Sequence, residues 1–211
     1  MKTIIFGTKE IADLAMFYFK NDSHNLPVAF CEDGQFITES THEGLPVVPF
    51  EEIEKTFDPA DHLFFAPLYD NHMRSLKAAA AKEKGYDLAS YISSKAVVWT
   101  DKIGENCFIM ENNVIQPYVT IGNNVVFWSG NHIGHHCTIG NNIFFSSHVV
   151  LSGKCTVEDF TWFGVNSTIR DGIKIAEGSF IGMGSVITKR TKPYTKYIGN
   201  PAQEYGSVEK K

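Results

Sequence analysis

The apolar residues of this chain keep two rhythms, and the change from one to the other divides it. Over residues 2–92, short apolar runs alternate with stretches whose apolar residues recur at helical spacing. Residues 2–6 are β-branched and end at Gly7, and residues 11–19 then repeat at helical spacing. Residues 27–31 read as a second strand that ends in Glu32-Asp33-Gly34. Residues 45–50 are short, apolar and bounded by proline, and residues 51–57 read as a brief acidic helix. A third strand over residues 62–66 runs into Pro67-Leu68-Tyr69, and a helix over residues 71–84 is stopped by Gly85. Residues 86–92 read as a last strand. Strands alternating with helices predict a small parallel sheet with helices packed around it, a Rossmann-like α/β domain.

From Ile103 the rhythm becomes six. Ile103, Ile109, Ile115, Ile121, Phe127, Ile133, Ile139, Phe145, Leu151, Val157, Phe163, Ile169, Ile175, Ile181 and Ile187 are fifteen consecutive hits. No helix and no simple strand repeats in this way. A mostly small residue stands two places before each apolar one, as at Cys107, Asn113, Cys137, Cys155, Ser167 and Ser185. Glycine follows the apolar residue at Gly104, Gly122, Gly134, Gly140, Gly164 and Gly182. A chain that turns a corner every six residues, with a bulky side chain inward each time, predicts a parallel β-solenoid in which each coil covers its neighbour. The boundary is placed near Ser93-Ser94, giving domains over residues 1–93 and 94–211.

Composition narrows the class of function without naming it. With 43% hydrophobic and 20% charged residues in 211, the chain is an ordinary globular one. A net charge of −5 gives no support to nucleic-acid binding. No apolar run approaches the length of a membrane span, and the first strand breaks at Gly7 too early for a secretory signal, so a cytoplasmic protein is expected. Of the four cysteines, Cys107, Cys137 and Cys155 occupy small interior positions, and no pair has zinc-site spacing, so no metal is expected.

Two stretches carry candidate chemistry. Strand, Gly7, then helix is the opening of a nucleotide-binding βαβ unit, where polar groups meet the backbone N–H groups of a helix start. The full G-x-G-x-x-G pattern is absent, and a dinucleotide is not supported. Asp33 stands where such folds meet a ribose or base, although turn chemistry accounts for Asp33-Gly34 equally well. The second stretch is Gly130-Asn131-His132-Ile133-Gly134-His135-His136-Cys137, with His148 beyond it. Clustered histidines suit a general base, because imidazole can accept a proton near neutral pH.

These residues, with the closing segment Tyr197-Ile198-Gly199-Asn200-Pro201-Ala202, resemble the hexapeptide-repeat sugar O-acyltransferases. That group is related to the sialic acid O-acetyltransferases and the bacterial nucleotide-amino-sugar N-acetyltransferases, and the resemblance covers essentially the whole chain. It implies a left-handed parallel β-helix of three hexapeptides per coil, with Ile103, Ile121, Ile139, Val157 and Ile175 stacked. It also implies acetyl-CoA as co-substrate and a nucleotide-linked sugar as acceptor. On that resemblance Gly7, Thr8, Lys9, Asp33, Pro67, Leu68 and Tyr69 are expected to meet the nucleotide, and Asn131 and His132 the acceptor. His135 is expected to be the base, with His148 in reserve, and Gly153, one coil on, the oxyanion donor. Gly164, Gly182, Gly184, Lys189, Lys192, Gly199, Asn200, Pro201 and Ala202 are expected to line the acetyl-CoA groove.

The sequence departs from the resemblance at one point. Related enzymes often carry an acidic residue directly after the histidine, where this chain has His136. Aromatic residues outside the interior register (Trp128, Phe144, Phe160, Trp162 and Phe180) are expected to form an exposed face that joins three copies. The rival readings are O-acetylation on the same fold, a non-enzymatic trimeric nucleotide-binding scaffold, and a zinc lyase like the β-helix carbonic anhydrases.

Overall fold

In the computed structural model, which describes residues 1–210, the chain divides into two units, Met1–Tyr91 and Ile92 onward. The first is built on a six-stranded sheet. Its elements are β1 (Lys2–Phe6), α1 (Glu10–Asp22), β2 (Leu26–Glu32), β3 (Thr41–His42), β4 (Leu45–Pro49), α2 (Ile53–Thr56), β5 (His62–Phe65), α3 (Asn71–Glu83) and β6 (Asp87–Leu88). The strand order is β3-β4-β2-β1-β5-β6, and all pairs are parallel except β3–β4. β1 sits inside the sheet, which is why Ile4, Ile5 and Phe6 are buried without alternation.

The expected parallel sheet is present, and two details differ for local reasons. β3 and β4 form an antiparallel hairpin, because Glu43 (φ 47°) and Gly44 (φ 77°) make a two-residue turn with both φ positive. The expected strand over residues 86–92 splits at Ala89-Ser90: Asp87–Leu88 closes the first sheet, and Tyr91–Ile92 is a separate strand.

The second unit is a left-handed parallel β-helix with three faces. Each strand of the coils is two residues long, the interior apolar residue and the one before it. The first face includes Phe108–Ile109, Val126–Phe127, Phe144–Phe145, Trp162–Phe163 and Phe180–Ile181. The second includes Val114–Ile115, His132–Ile133, Val150–Leu151, Thr168–Ile169 and Val186–Ile187. The third stacks Ile121, Ile139, Val157 and Ile175, with Ile103 bridged below, in the expected register. Phe127, Phe145 and Phe163 stack face to face in the interior at 4.5 and 4.4 Å.

A second six-residue period, invisible to hydropathy, sets the corners. The residue before each small interior position has positive φ, including Asn106, Asn112, Tyr118, Asn124, Gly130, His136, Asn142, His148 and Lys154. Asn, Gly and His tolerate that conformation best, which accounts for the composition of the column. The glycines after the apolar residues have a different role. A Cβ on Gly122 would lie 2.6 Å from the Gly140 carbonyl oxygen, so those corners close only without a side chain. An antiparallel pair, Thr195–Gly199 and Ala202–Ser207, ends the first face.

The five aromatic residues expected on an exposed face are not exposed. Phe144 is 3% exposed, and Trp128, Phe160, Trp162 and Phe180 are half-buried. Phe144 and Trp162 stack on one another at 4.0 Å, removing each other's surface from water. Within the coils, exposed apolar residues lie on the second face and its edges, at Val97, Trp99, Tyr118, Val150, Val165 and Met183, and others, Ile92, Ile198 and Tyr205, lie on the strands that begin and end the first face.

Candidate active site

In the first unit, a cavity of about 460 Å³ opens where β1 hands over to α1. Gly7 makes the turn at φ 101°, a conformation that disfavours any side chain, and its N–H donates to the Cys31 carbonyl at 2.8 Å. Thr8 to Ala12 then line the cavity at the start of α1, where the Ala12 N–H donates to the Lys9 carbonyl at 2.7 Å and the N–H groups ahead of it have no intrahelical acceptor. Six expected nucleotide residues meet here: Gly7, Thr8, Lys9, Asp33, Leu68 and Tyr69. Pro67 does not join them. It is buried and outside the lining, because the chain leaves β5 still within the core and emerges only at Leu68.

The cavity also holds residues that the sequence did not single out. Lys77 of α3 pairs with Asp33 and lies over the rings of Phe6 at 4.9 Å and Phe50 at 5.0 Å. Its signal was the helical stripe Met73, Lys77, Ala81, of which Met73 and Lys77 line the cavity and Ala81 is buried. Glu32 lines the same wall, and burial pushes its carboxyl above the usual carboxylate range, with the Asp33 charge adding to the effect.

In the second unit, the corner between second and third faces carries the histidine pair. The His135 N–H donates to Gln116 Oε1 at 2.8 Å, which anchors its backbone to the preceding coil. Its ring stands over Gly153: a Cβ there would lie 2.9 Å from Nε2 and 3.0 Å from Cε1. Among the described residues, no backbone acceptor pairs with the Gly153 N–H, whereas its carbonyl accepts from Gly172 at 3.0 Å. The corner therefore presents an exposed imidazole and an unengaged amide N–H one coil apart, groups chemically able to accept a proton and to donate to a developing negative charge.

The remaining histidines disperse. His132 lies on the second face between Val114 and Val150. His148 occupies a positive-φ corner between first and second faces, with its ring against Gly130, where a Cβ would meet it at 2.6 Å. It thus lies at a different edge of the solenoid from His135. Asn131, expected among the acceptor contacts, is instead 1% exposed. Its Nδ2 donates to the Trp128 carbonyl, its N–H to Asn113 Oδ1 at 3.2 Å, and its Oδ1 accepts from the Val149 N–H at 2.7 Å. It is a rung in an interior ladder that satisfies the corner's peptide groups. Asn131→Leu should therefore destabilise the fold by roughly 1–3 kcal/mol by leaving the buried Val149 N–H without its acceptor, read as a lower denaturant midpoint.

Near the end of the solenoid, Lys189, Arg190, Pro201 and Ala202 line a second cavity of about 300 Å³. Lys192 is not in the lining but pairs at 2.8 Å with Glu204, which is, and Arg190 is a cation that the sequence reading passed over. Gly199 and Asn200 are exposed at the turn between the two closing strands. Gly164 and Gly182 are buried between coils: a Cβ on Gly164 would meet the Met183 nitrogen at 2.5 Å. Gly184 has positive φ and open space around it.

Residues 102–134 and 118–153 match the family described as bacterial transferase hexapeptide (six repeats), and residues 155–189 match the hexapeptide repeat of succinyl-transferase. All the matched residues lie within the solenoid. Over nearly its whole length the chain has the fold of three solved proteins. PerB from Caulobacter crescentus, solved with CoA and GDP-perosamine, is 20% identical, with 98% of each chain covered and a TM-score of 0.88. The acetyltransferase domain of PglB from Neisseria gonorrhoeae is 20% identical, with 97% of this chain and 99% of that one covered and a TM-score of 0.83. WeeI from Acinetobacter baumannii is 21% identical, with 97% and 100% covered and a TM-score of 0.84. No curated protein matches the sequence.

Proposed function

We propose that this protein transfers an acetyl group from acetyl-CoA to the amino group of a nucleotide-linked amino sugar used in surface-glycan synthesis. The observation that carries the reading is the corner of His135 and Gly153, set in a fold shared end to end with acetyltransferases. His135 takes the proton of the attacking amine at Nε2. The Gly153 N–H stabilises the tetrahedral oxyanion, and the thiolate of CoA leaves as the amide forms.

The cavity of the first unit takes the nucleotide, with its phosphates at the start of α1 and Lys77 beside them. The groove that ends at Lys189, Arg190, Pro201 and Ala202 takes the CoA end remote from the thioester. Three copies associate through the exposed apolar second face, as a closed ring would.

The test is thiol release from acetyl-CoA against a panel of GDP-, UDP- and dTDP-linked amino sugars and their hydroxyl analogues. Release with at least one amino sugar, and a product acetylated on nitrogen, is expected. Release with none of the panel would overturn the reading. Release with a hydroxyl analogue alone would move it to O-acetylation. In calorimetric titration, Lys77→Met should raise the Kd of the corresponding nucleoside diphosphate about tenfold through loss of one charge-assisted contact.

A further inference from the structure

The imidazole of His135 needs a partner at Nδ1 if Nε2 is to be the free base, because a neutral imidazole carries one N–H and one lone pair. The structure supplies that partner from the next residue. His135 Nδ1 lies 3.0 Å from His136 Nδ1, with the two rings at 88°. His136 is itself held in place. It occupies a positive-φ corner position (φ 58°), and its ring lies against Tyr118 of the preceding coil at 4.6 Å and 35°.

We infer that His136 is the positioning residue of the site. It is a neutral imidazole whose Nδ1 lone pair accepts the Nδ1–H of His135, which fixes the tautomer that leaves Nε2 unprotonated above Gly153. The inference rests on the proposed acetyl transfer for its consequence, but the pairing itself is a property of the resting protein. A hydrogen bond between two Nδ1 atoms requires one to donate and the other to accept. Donation by His135 is the arrangement that serves catalysis, because the opposite one would place its remaining proton on Nε2. In this chain an uncharged group thus does the work that a carboxylate does when one follows the histidine.

Such a partner orients without adding negative charge. A carboxylate in its place favours the imidazolium form of His135. By register, Tyr118 and Lys154 occupy the corner position of His136 in the adjoining coils, and Asp171 lies two coils beyond His135 in its column.

The deciding measurement is nitrogen-15 NMR of the imidazoles in the free protein, assigned by His135→Asn and His136→Phe. Phe is compatible with the corner, because Phe160 occupies the equivalent position at φ 59°. The expected result is His135 protonated at Nδ1 and His136 at Nε2. His135 protonated at Nε2 would overturn the inference whether or not the enzyme is active on any sugar tested.

Kinetics supply the second arm. His136→Phe keeps a ring against Tyr118 but removes the acceptor, and should lower kcat roughly 10–100-fold with little change in KM. His136→Asp restores an acceptor and should recover most of that loss, with the acid limb of the rate profile moved to higher pH. Full activity in His136→Phe would show that the ring acts only by packing. Wild-type protein inactive on every sugar, but with the expected tautomers, would sink the acetyl-transfer reading and leave the pair standing.

Discussion

Replacing His135 by asparagine should lower kcat by roughly 10²–10⁴-fold, the usual worth of a positioned general base, while acetyl-CoA affinity and assembly stay unchanged. The side chain is exposed at a corner, so its loss removes no core contact. Only the ring goes, while the backbone bond to Gln116 remains. The wild-type rate should fall toward acid pH as Nε2 takes a proton and can no longer act as a base, and that limb should vanish in the variant. His148→Asn is the matched comparison, because Asn suits its positive-φ corner and its ring lies at another edge. If His148→Asn loses activity and His135→Asn keeps it, the base is His148. If both variants keep it, the amine arrives already deprotonated and the protein supplies only the oxyanion donor and the binding sites.

The largest effect on stability is expected at Ile139. It is 1% exposed and stacks between Ile121 and Val157 in the interior of the third face. Truncation to alanine should cost about 2–5 kcal/mol through lost burial and the cavity left behind. Aspartate should cost more, because a carboxylate there is enclosed by apolar side chains without a partner. Thermal unfolding checks both, and an unchanged midpoint for Ile139→Asp would contradict the interior register. Because each coil touches only its neighbours, the damage should spread to the adjoining coils, seen as faster amide exchange at Ile121 and Val157.

The solenoid was legible because a period of six admits one register. Once Ile103 to Ile187 are aligned, the interior residues, the corners and the eighteen-residue neighbours of each follow. The same arithmetic placed His135 beside Gly153, and the structure brings those two together. The pattern was silent wherever a residue's role depended on backbone conformation. His136 and His148 both sit in the positive-φ column that Asn and Gly mostly fill elsewhere, a placement that hydropathy does not show.

Asn131 misled for a different reason. A polar residue in the small interior position reads as a ligand contact until the ladder with Asn113, eighteen residues earlier, shows where its hydrogen bonds go. In the first unit, alternation revealed the strands but not the antiparallel edge, which hung on the two-residue turn Glu43-Gly44. Lys77 stayed hidden among the lysines of α3, because choosing the inward one needs the helix docked on its sheet.

The central claim is that this chain moves an acetyl group onto an amine with His135 as base. A single-turnover experiment tests it most directly, using acetyl-CoA labelled in the acetyl carbonyl and the amino sugar that supports thiol release. The account predicts label on the sugar nitrogen at a rate that His135→Asn slows at least a hundredfold, with no labelled protein at any time. Label that first accumulates on the protein, or transfer at an undiminished rate in His135→Asn, would contradict it.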